Sequence, residues 1–407
     1  MEIRKVFVVG AGYMGNGISQ VAAASGYAVT MCDLSESCLQ AGLKAIDFSL
    51  GKLLSKGKIT PREYDRAKAN ISVTCDLKEA KEADMAVEAV PESLELKKRV
   101  FEDLDGICPP HAILATNTSC LPITSIASAT SRPEKVVGTH FFGPVPLMRL
   151  CEVINGLLTA PETAQSAASW VKSLGKDPVL VKKDHAGFIA NRVNIPSSIE
   201  AIRMVEEGMA SPEDIDRATG GFDAGIGPMQ IMDNAGLDVT FNAAMAVYED
   251  TGDPKFLPPP LLRRMVAAGR LGRKSGRGFY DYASGKRESL HWGSAGKHAG
   301  EDGKSWHDGS SGLLERFLLP AILEAVRVLE AGVGSVEDID KASRLGFNFP
   351  LGQLEMADNM GLDTVTRIAL ALHDETGDPK FFPPPLLRRM VAAGRLGRKS
   401  GRGFYSY

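Results

Sequence analysis

"VFVVGAGYMGNGISQVAAASGYAVTMCD", Val6 to Asp33, decides how the first part of the chain folds. A Val-rich run from Val6 to Val9 reads as a strand, and Gly10, Gly12 and Gly15 follow it in the spacing G-x-G-x-x-G. A helix-forming stretch comes next, and Asp33 closes a second apolar run 18 residues beyond Gly15. Strand, glycine turn, helix and a second strand ending in an acid make one βαβ unit. Gly10 permits the tight turn, Gly12 lets backbone approach a pyrophosphate, and Gly15 lets the helix pack on the strand. The helix N-terminus would offer unpaired N–H groups and the positive end of its dipole to phosphates. Asp33 would accept hydrogen bonds from the adenosine ribose and repel a 2′-phosphate, and Leu34, Ser35 and Glu36 bring no cation to reverse that preference. The expected cofactor is therefore NAD, held by Gly10, Gly12, Tyr13, Met14, Gly15 and Asp33.

Working outward, "AVTMCD", "MAVEAV", "AILATN" and "KVVGTHF" are further strand candidates, separated by amphipathic stretches such as "ESLELKKRVFEDLDGI". Strands alternating with helices imply a mostly parallel sheet. Beyond residue 182 the pattern turns helical, with Ser211-Pro212-Glu213 as a helix start. The expected architecture is an α/β Rossmann-type N-terminal domain (1–182) followed by two all-α helical domains (183–282 and 312–407). Residues 283–311 are Gly/Ser-rich and too poor in apolar side chains for a core, which reads as a flexible linker.

The two helical domains are an internal duplication. Thr251–Tyr282 and Thr376–Tyr407 differ only at Leu257/Phe382 and Asp281/Ser406. Upstream, Pro196 is answered by Pro320, Glu200 by Glu324 and Gly208 by Gly332. The same alignment puts Glu315 opposite Asn191 and Arg316 opposite Arg192. The sequence alone gives no physical reason why the last 32 residues stay nearly identical while the earlier part drifts; recent duplication or exchange would produce it. The copies could bury equivalent apolar faces within one chain as a pseudo-dimer, or pair between chains as a homodimer. A flexible linker of this length spans about 30 Å and allows either.

A formal net charge of −3 gives no global field toward nucleic acid or anionic membrane, and no apolar run has the length of a membrane span. Neither a nucleic-acid nor a membrane partner is expected. Met1 leads almost directly into "VFVVG", leaving no room for a leader peptide. The six cysteines lie within the first 151 residues without a C-x-x-C pair, as expected of a reducing, cytoplasmic protein. The basic run Arg263, Arg264, Arg270, Arg273, Lys274 and Arg277 is interleaved with glycine rather than aromatics and reads as a helix followed by an extended tail. His291, His298 and His307 are irregularly spaced and make no metal frame.

Oxidising an alcohol requires a base for the hydroxyl proton while a hydride departs, and a histidine steadied by a carboxylate suits this. "GTHFFGPVPLMRLCEVI" offers His140 at the end of one strand and Glu152 in the next, with Pro144-Val145-Pro146 as the turn between. Together with the glycine motif, "VEAVPESLELKKRVFEDL", "ATNTS" and "GFIANR", this run resembles the L-3-hydroxyacyl-CoA dehydrogenase family, also called 3-hydroxybutyryl-CoA dehydrogenases. The resemblance covers nearly the whole chain except the linker. It implies NAD-dependent, reversible oxidation of an L-3-hydroxyacyl-CoA in fatty-acid or acyl-CoA metabolism. It also implies His140 as base, Glu152 as its carboxylate partner, and Ser119 and Asn191 on the substrate. By the same resemblance Glu92 and Lys97 stand beside the nicotinamide ribose, and Ser49 and Lys56 contact coenzyme A. Lys52, Lys56 and Lys58 form a local cationic cluster suited to phosphates.

Two positions depart from the family pattern: Gly143 replaces the usual Asn after His-Phe-Phe, and Ala186 replaces a Pro. Both leave room for a bulkier acyl group. Opposite Asn191 the second copy carries Glu315, so one active site per chain is expected. The competing readings are a dehydrogenase of a free hydroxy acid, like the gulonate or carnitine enzymes, and a non-catalytic NAD-binding protein.

Overall fold

The protein is described from a computed structural model that covers residues 2–220, 226–290, 311–347 and 349–407. The chain divides into two compact units, Met1–Phe188 and Ile189–Tyr407. Among the described residues no helix is long and apolar enough to cross a membrane.

The first unit is an eight-stranded sheet. Its strands are β1 (Lys5–Val9), β2 (Ala28–Cys32), β3 (Ile71–Thr74), β4 (Met85–Glu88), β5 (Ile113–Thr116), β6 (Val136–Phe141), β7 (Leu150–Ile154) and β8 (Asp177–Val181). They are ordered β3-β2-β1-β4-β5-β6-β7-β8. Every neighbouring pair is parallel except β6 and β7, which run antiparallel. The order reverses between β1 and β4, where open α/β sheets bind ligands beyond the strand ends. Strands β4 to β7 are buried along their whole length, as strands covered on both faces must be. The sheet is flanked by α1 (Tyr13–Ala24), α2 (Glu36–Ser55), α3 (Pro61–Ala69), α4 (Leu94–Ile107), α5 (Ile123–Ala127) and α6 (Pro161–Ser173). Thr60 caps α3 with a reciprocal Glu63 bond and Pro61 at its first position, which fixes the turn after α2.

The second unit is helical. The first copy contributes α7 (Ala190–Glu206), α8 (Pro212–Ala218), α9 (Pro228–Ala235), α10 (Leu237–Thr251) and α11 (Pro260–Ala267). The second contributes α12 (Ser311–Glu330), α13 (Val336–Phe347), α14 (Gln353–Met360), α15 (Leu362–Thr376) and α16 (Pro385–Ala392). Ser211 caps α8 with Pro212 at its first position, where the sequence places a helix start.

The copies pair within one chain, α7 against α12. Arg192 Nε donates to Glu324 at 2.8 Å, and Arg316 Nε to Glu200 at 2.6 Å. Lys255 reaches Glu324 at 3.2 Å, and Lys380 reaches Glu200 at 2.9 Å. Arg192 and Arg316, Glu200 and Glu324, and Lys255 and Lys380 are the matched residues of the duplication. Each contact is therefore made twice with the copies exchanged, the signature of an isologous two-fold interface.

The tail after α11, read from the sequence as extended, leads into a further pairing. Tyr280–Asp281 pairs antiparallel with Glu288–Ser289, so a short hairpin occupies the start of the expected linker. The rest of the linker, with His291, His298 and His307, lies outside the described residues.

Candidate active site

Antiparallel pairing sets His140 on β6 directly across from Glu152 on β7. The imidazole Nδ1 lies 2.8 Å from Glu152 Oε2. His140 is 4% exposed and Glu152 fully buried, so this contact is shielded from water. A carboxylate can only accept, which assigns the proton of the neutral ring to Nδ1 and leaves the Nε2 lone pair as the basic site. The turn between the strands is held by Lys176, whose ammonium donates to the carbonyls of Val145 at 2.5 Å and Met148 at 2.8 Å. Burial pushes the Lys176 amine below its ordinary range. The sequence carried no signal for Lys176; only folding brings it under the turn.

Two rings flank the histidine. The Phe142 centroid is 4.5 Å away and that of Phe188 5.7 Å. Phe188 is fully buried at φ +53, a left-handed backbone that bulky residues rarely adopt, so packing around the site holds it in place. Asn117 Oδ1 accepts from Phe141 N at 2.9 Å and ties the end of β5 to the strand bearing His140.

A second polar cluster joins the ends of β4 and β5. Glu92 Oε1 accepts from the Thr118 hydroxyl at 2.6 Å and from Ser119 N at 2.9 Å. Lys97 is 1% exposed, with its ammonium 2.7 Å from Glu88 and 3.2 Å from Glu92. Burial pushes the Glu92 carboxyl up, but the Lys97 charge and the Thr118 and Ser119 donors together hold it below its ordinary value. The resemblance singles out Glu92 and Lys97 for the nicotinamide ribose but gives no sign of Glu88. That carboxylate is fully buried and also accepts from Thr116 Oγ1 at 2.7 Å and Val90 N at 2.7 Å. The structure thus gathers Ser119, Glu92 and Lys97 in one network.

The glycine turn fits a dinucleotide. Gly10 has φ +106, and a Cβ there would lie 2.6 Å from Ala89 O. A Cβ on Gly15 would lie 1.8 Å from Gly10 O, whereas one on Gly12 would meet nothing within 4 Å. The backbone is therefore packed below and open above. No side chain caps the N-terminus of α1. Asp33 stands at the end of β2 and accepts from Ala11 N and Leu34 N, each at 2.7 Å, with further lone pairs for a ribose diol.

A Cβ on Gly143 would lie 2.5 Å from the Tyr13 ring, so the tyrosine, and not open space for a bulkier acyl group, stands beside Gly143.

Sequence comparison matches residues 5–185 to the 3-hydroxyacyl-CoA dehydrogenase NAD binding domain. Residues 187–282 and 313–407 each match the C-terminal domain of the same enzymes. The chain belongs to the 3-hydroxyacyl-CoA dehydrogenase family. A probable 3-hydroxybutyryl-CoA dehydrogenase of Bacillus subtilis is 46% identical over 283 residues, covering 69% of this chain and 98% of that protein. The 3-hydroxyadipyl-CoA dehydrogenase of Escherichia coli is 32% identical and covers 96% of this chain and 98% of its own length. The crystal structure of an E. coli 3-hydroxybutyryl-CoA dehydrogenase superposes with a TM-score of 0.87 at 30% identity, covering 97% of this chain and 99% of that one. The first of these proteins is matched over about two thirds of this chain, the other two along nearly all of it. NAD is the cofactor of the domain that carries the glycine turn.

Three further residues named from the sequence are Ser49, Lys56 and Asn191. Ser49 is half-buried on α2, and Lys56 sits exposed at the C-cap just beyond the helix, not within it. Phe48 is 64% exposed beside Ser49, with the Lys52 ammonium 4.2 Å above its ring. Asn191 lies half-buried near the start of α7, in the second unit.

Proposed function

We propose that this enzyme oxidises an L-3-hydroxyacyl-CoA to the 3-oxoacyl-CoA, and the reverse, with His140 as the base. The observation that carries the assignment is the buried 2.8 Å contact between His140 Nδ1 and Glu152. When bound, NAD supplies the acceptor for the hydride that leaves C3 of the substrate. Nε2 of His140 takes the hydroxyl proton, the C–O bond becomes a carbonyl, and Glu152 stabilises the imidazolium across the other ring nitrogen. Ser119 and Asn191 hold the substrate oxygens. Glu92, fixed by Thr118 and Lys97, stands with Ser119 at the cofactor side.

Coenzyme A lies along the end of α2. The exposed Phe48 ring, Ser49, Lys52 and Lys56 offer one aromatic face and two cations to its adenine and phosphates. Relatives are named for 3-hydroxybutyryl-CoA and 3-hydroxyadipyl-CoA, so the acyl tail is where members of the family differ. The six cysteines, present as thiols, suit a reducing cytoplasm, and the paired copies suit a chain that acts as a monomeric pseudo-dimer.

The test is NADH oxidation with acetoacetyl-CoA by wild type and by His140→Ala. Wild-type turnover that falls by about 10² to 10⁴ in the variant is expected of a lost general base. A variant that retains wild-type turnover ends the assignment. Lys56→Ala should raise the KM for the thioester and leave that for a free hydroxy acid unchanged.

A further inference from the structure

The second helical copy carries Glu315 where the first has Asn191, yet its aromatic side chains reach the neighbourhood of that asparagine. A cavity of about 130 Å³ within the helical unit is lined by Asn191, Ile195 and Met232 of the first copy and by Phe317, Phe347 and Phe349 of the second. The volume is close to the roughly 150 Å³ of an apolar cavity that admits benzene, and far below the roughly 300 Å³ or more of a whole-ligand site. It is the size of a subsite for one short hydrocarbon group.

We propose that this cavity receives the tail of the acyl group, and that the second copy thereby sets which acyl-CoA the enzyme accepts. The proposal rests on the reading of Asn191 as a substrate residue, because Asn191 is one of the residues that line the cavity. The occupant is the short, uncharged hydrocarbon end of the acyl chain, as in hexanoyl-CoA. Among the described residues lining the cavity there is no lysine, arginine or histidine. A tail ending in a carboxylate would leave its charge unpaired there, which apolar surroundings strongly disfavour. Asn194 and Ser198, polar residues of the lining, are 3.3 Å apart and bonded to each other.

The duplication supports the assignment. Ser198 and Ala243 line the cavity, and their counterparts in the second copy are Ile322 and Ile368, both buried. At these two positions the second copy carries larger side chains, while it contributes three phenylalanines to the lining that includes Asn191.

The experiment uses the full chain with NADH. It measures dissociation constants for butyryl-, hexanoyl-, octanoyl- and adipyl-CoA, alongside kcat/KM for the corresponding 3-oxoacyl-CoA thioesters. Wild type should bind hexanoyl-CoA at least tenfold more tightly than adipyl-CoA. Ser198→Ile, which plants in the first copy the residue of the second, should lower the hexanoyl-to-butyryl ratio about tenfold or more. Phe347→Ala, on the second copy, should raise the octanoyl-to-hexanoyl ratio severalfold. Equal affinity for hexanoyl- and adipyl-CoA, or ratios unmoved in both variants, would overturn the proposal. Phe347→Ala enlarges rather than fills, so it remains informative if Ser198→Ile does not fold. Tail-dependent binding without turnover on any thioester would sink the dehydrogenase reading and leave the pocket standing.

Discussion

Asp233 and Asp358 stand at matching places in the two helical copies, and each is the hub of the same knot. Asp233 accepts from Phe279 N and Tyr280 N, each at 2.9 Å, and from Tyr282 OH at 3.1 Å. Asp358 accepts from Phe404 N at 3.0 Å, Tyr405 N at 2.9 Å and Tyr407 OH at 3.2 Å. A Cβ on Gly272 would lie 2.2 Å from Asp233 O, and one on Gly397 2.3 Å from Asp358 O. Arg270 and Arg395 each donate to a tail carbonyl at 2.7 Å, which gives the basic run a structural role. These demands account for glycines, tyrosines and arginines within the repeated segment, where the sequence alone offered no physical reason. They do not account for its remaining identities. Where the first copy lines the cavity, by contrast, each of its residues has a different counterpart: Asn191/Glu315, Asn194/Leu318 and Ser198/Ile322 among them. The glycines and aspartates of the knot recur in both copies, whereas the residues of the first copy that line the cavity do not recur in the second.

The cross-copy ion pairs give the largest expected effect. Glu200 and Glu324 are fully buried among cations of the opposite copy. Glu324→Gln or Glu200→Gln should each cost about 3–5 kcal/mol in urea unfolding, because the arginine and lysine left behind stay buried. If the pairing closes within the chain, the midpoint will not move with protein concentration; a concentration-dependent midpoint would show that copies pair between chains. Next come Gly272→Ala and Gly397→Ala, each combining a backbone clash with φ near +90. Both should destabilise by about 2–4 kcal/mol, and by similar amounts. A tolerated Gly397→Ala would mean that the second knot is looser than the first, which would break the equivalence.

How much of this was legible beforehand follows from the range of each interaction. Strands β1, β2, β4, β5 and β6 announce themselves through local apolar runs, and the glycine turn through its spacing. Strands β3 and β8 are weakly patterned, half-exposed at several positions, and only their partners in the sheet define them. His140 and Glu152 were readable because twelve residues and a proline turn suffice to bring two strands together. Glu88, Phe188 and Lys176 were not, since their roles depend on contacts that no local pattern encodes. The cavity needed helices from both copies, more than a hundred residues apart, so no window of sequence could have revealed it.

The smallest effect separates the copies by pH. Asp216 and Asp340 are matched buried carboxylates, each accepting from a tail tyrosine, at 2.7 Å from Tyr280 OH and 2.9 Å from Tyr405 OH. Burial raises both, and Asp340 reaches about 6. Arg287, 3.9 Å from Asp216, moderates the first, while the neighbouring Glu355 charge adds to the second. A carboxyl raised in the folded state binds its proton more tightly there than in the unfolded chain. Its contribution to stability is therefore complete below about pH 4 and is lost as pH rises through about 6. The stability of wild type minus that of Asp340→Asn should accordingly fall by on the order of 1–2 kcal/mol between pH 4 and pH 7. Asp216→Asn should show the same sign with a smaller slope. Urea titrations across that range decide it: a difference that is flat, or that rises with pH, would mean that the Asp340 carboxyl is not raised by its burial.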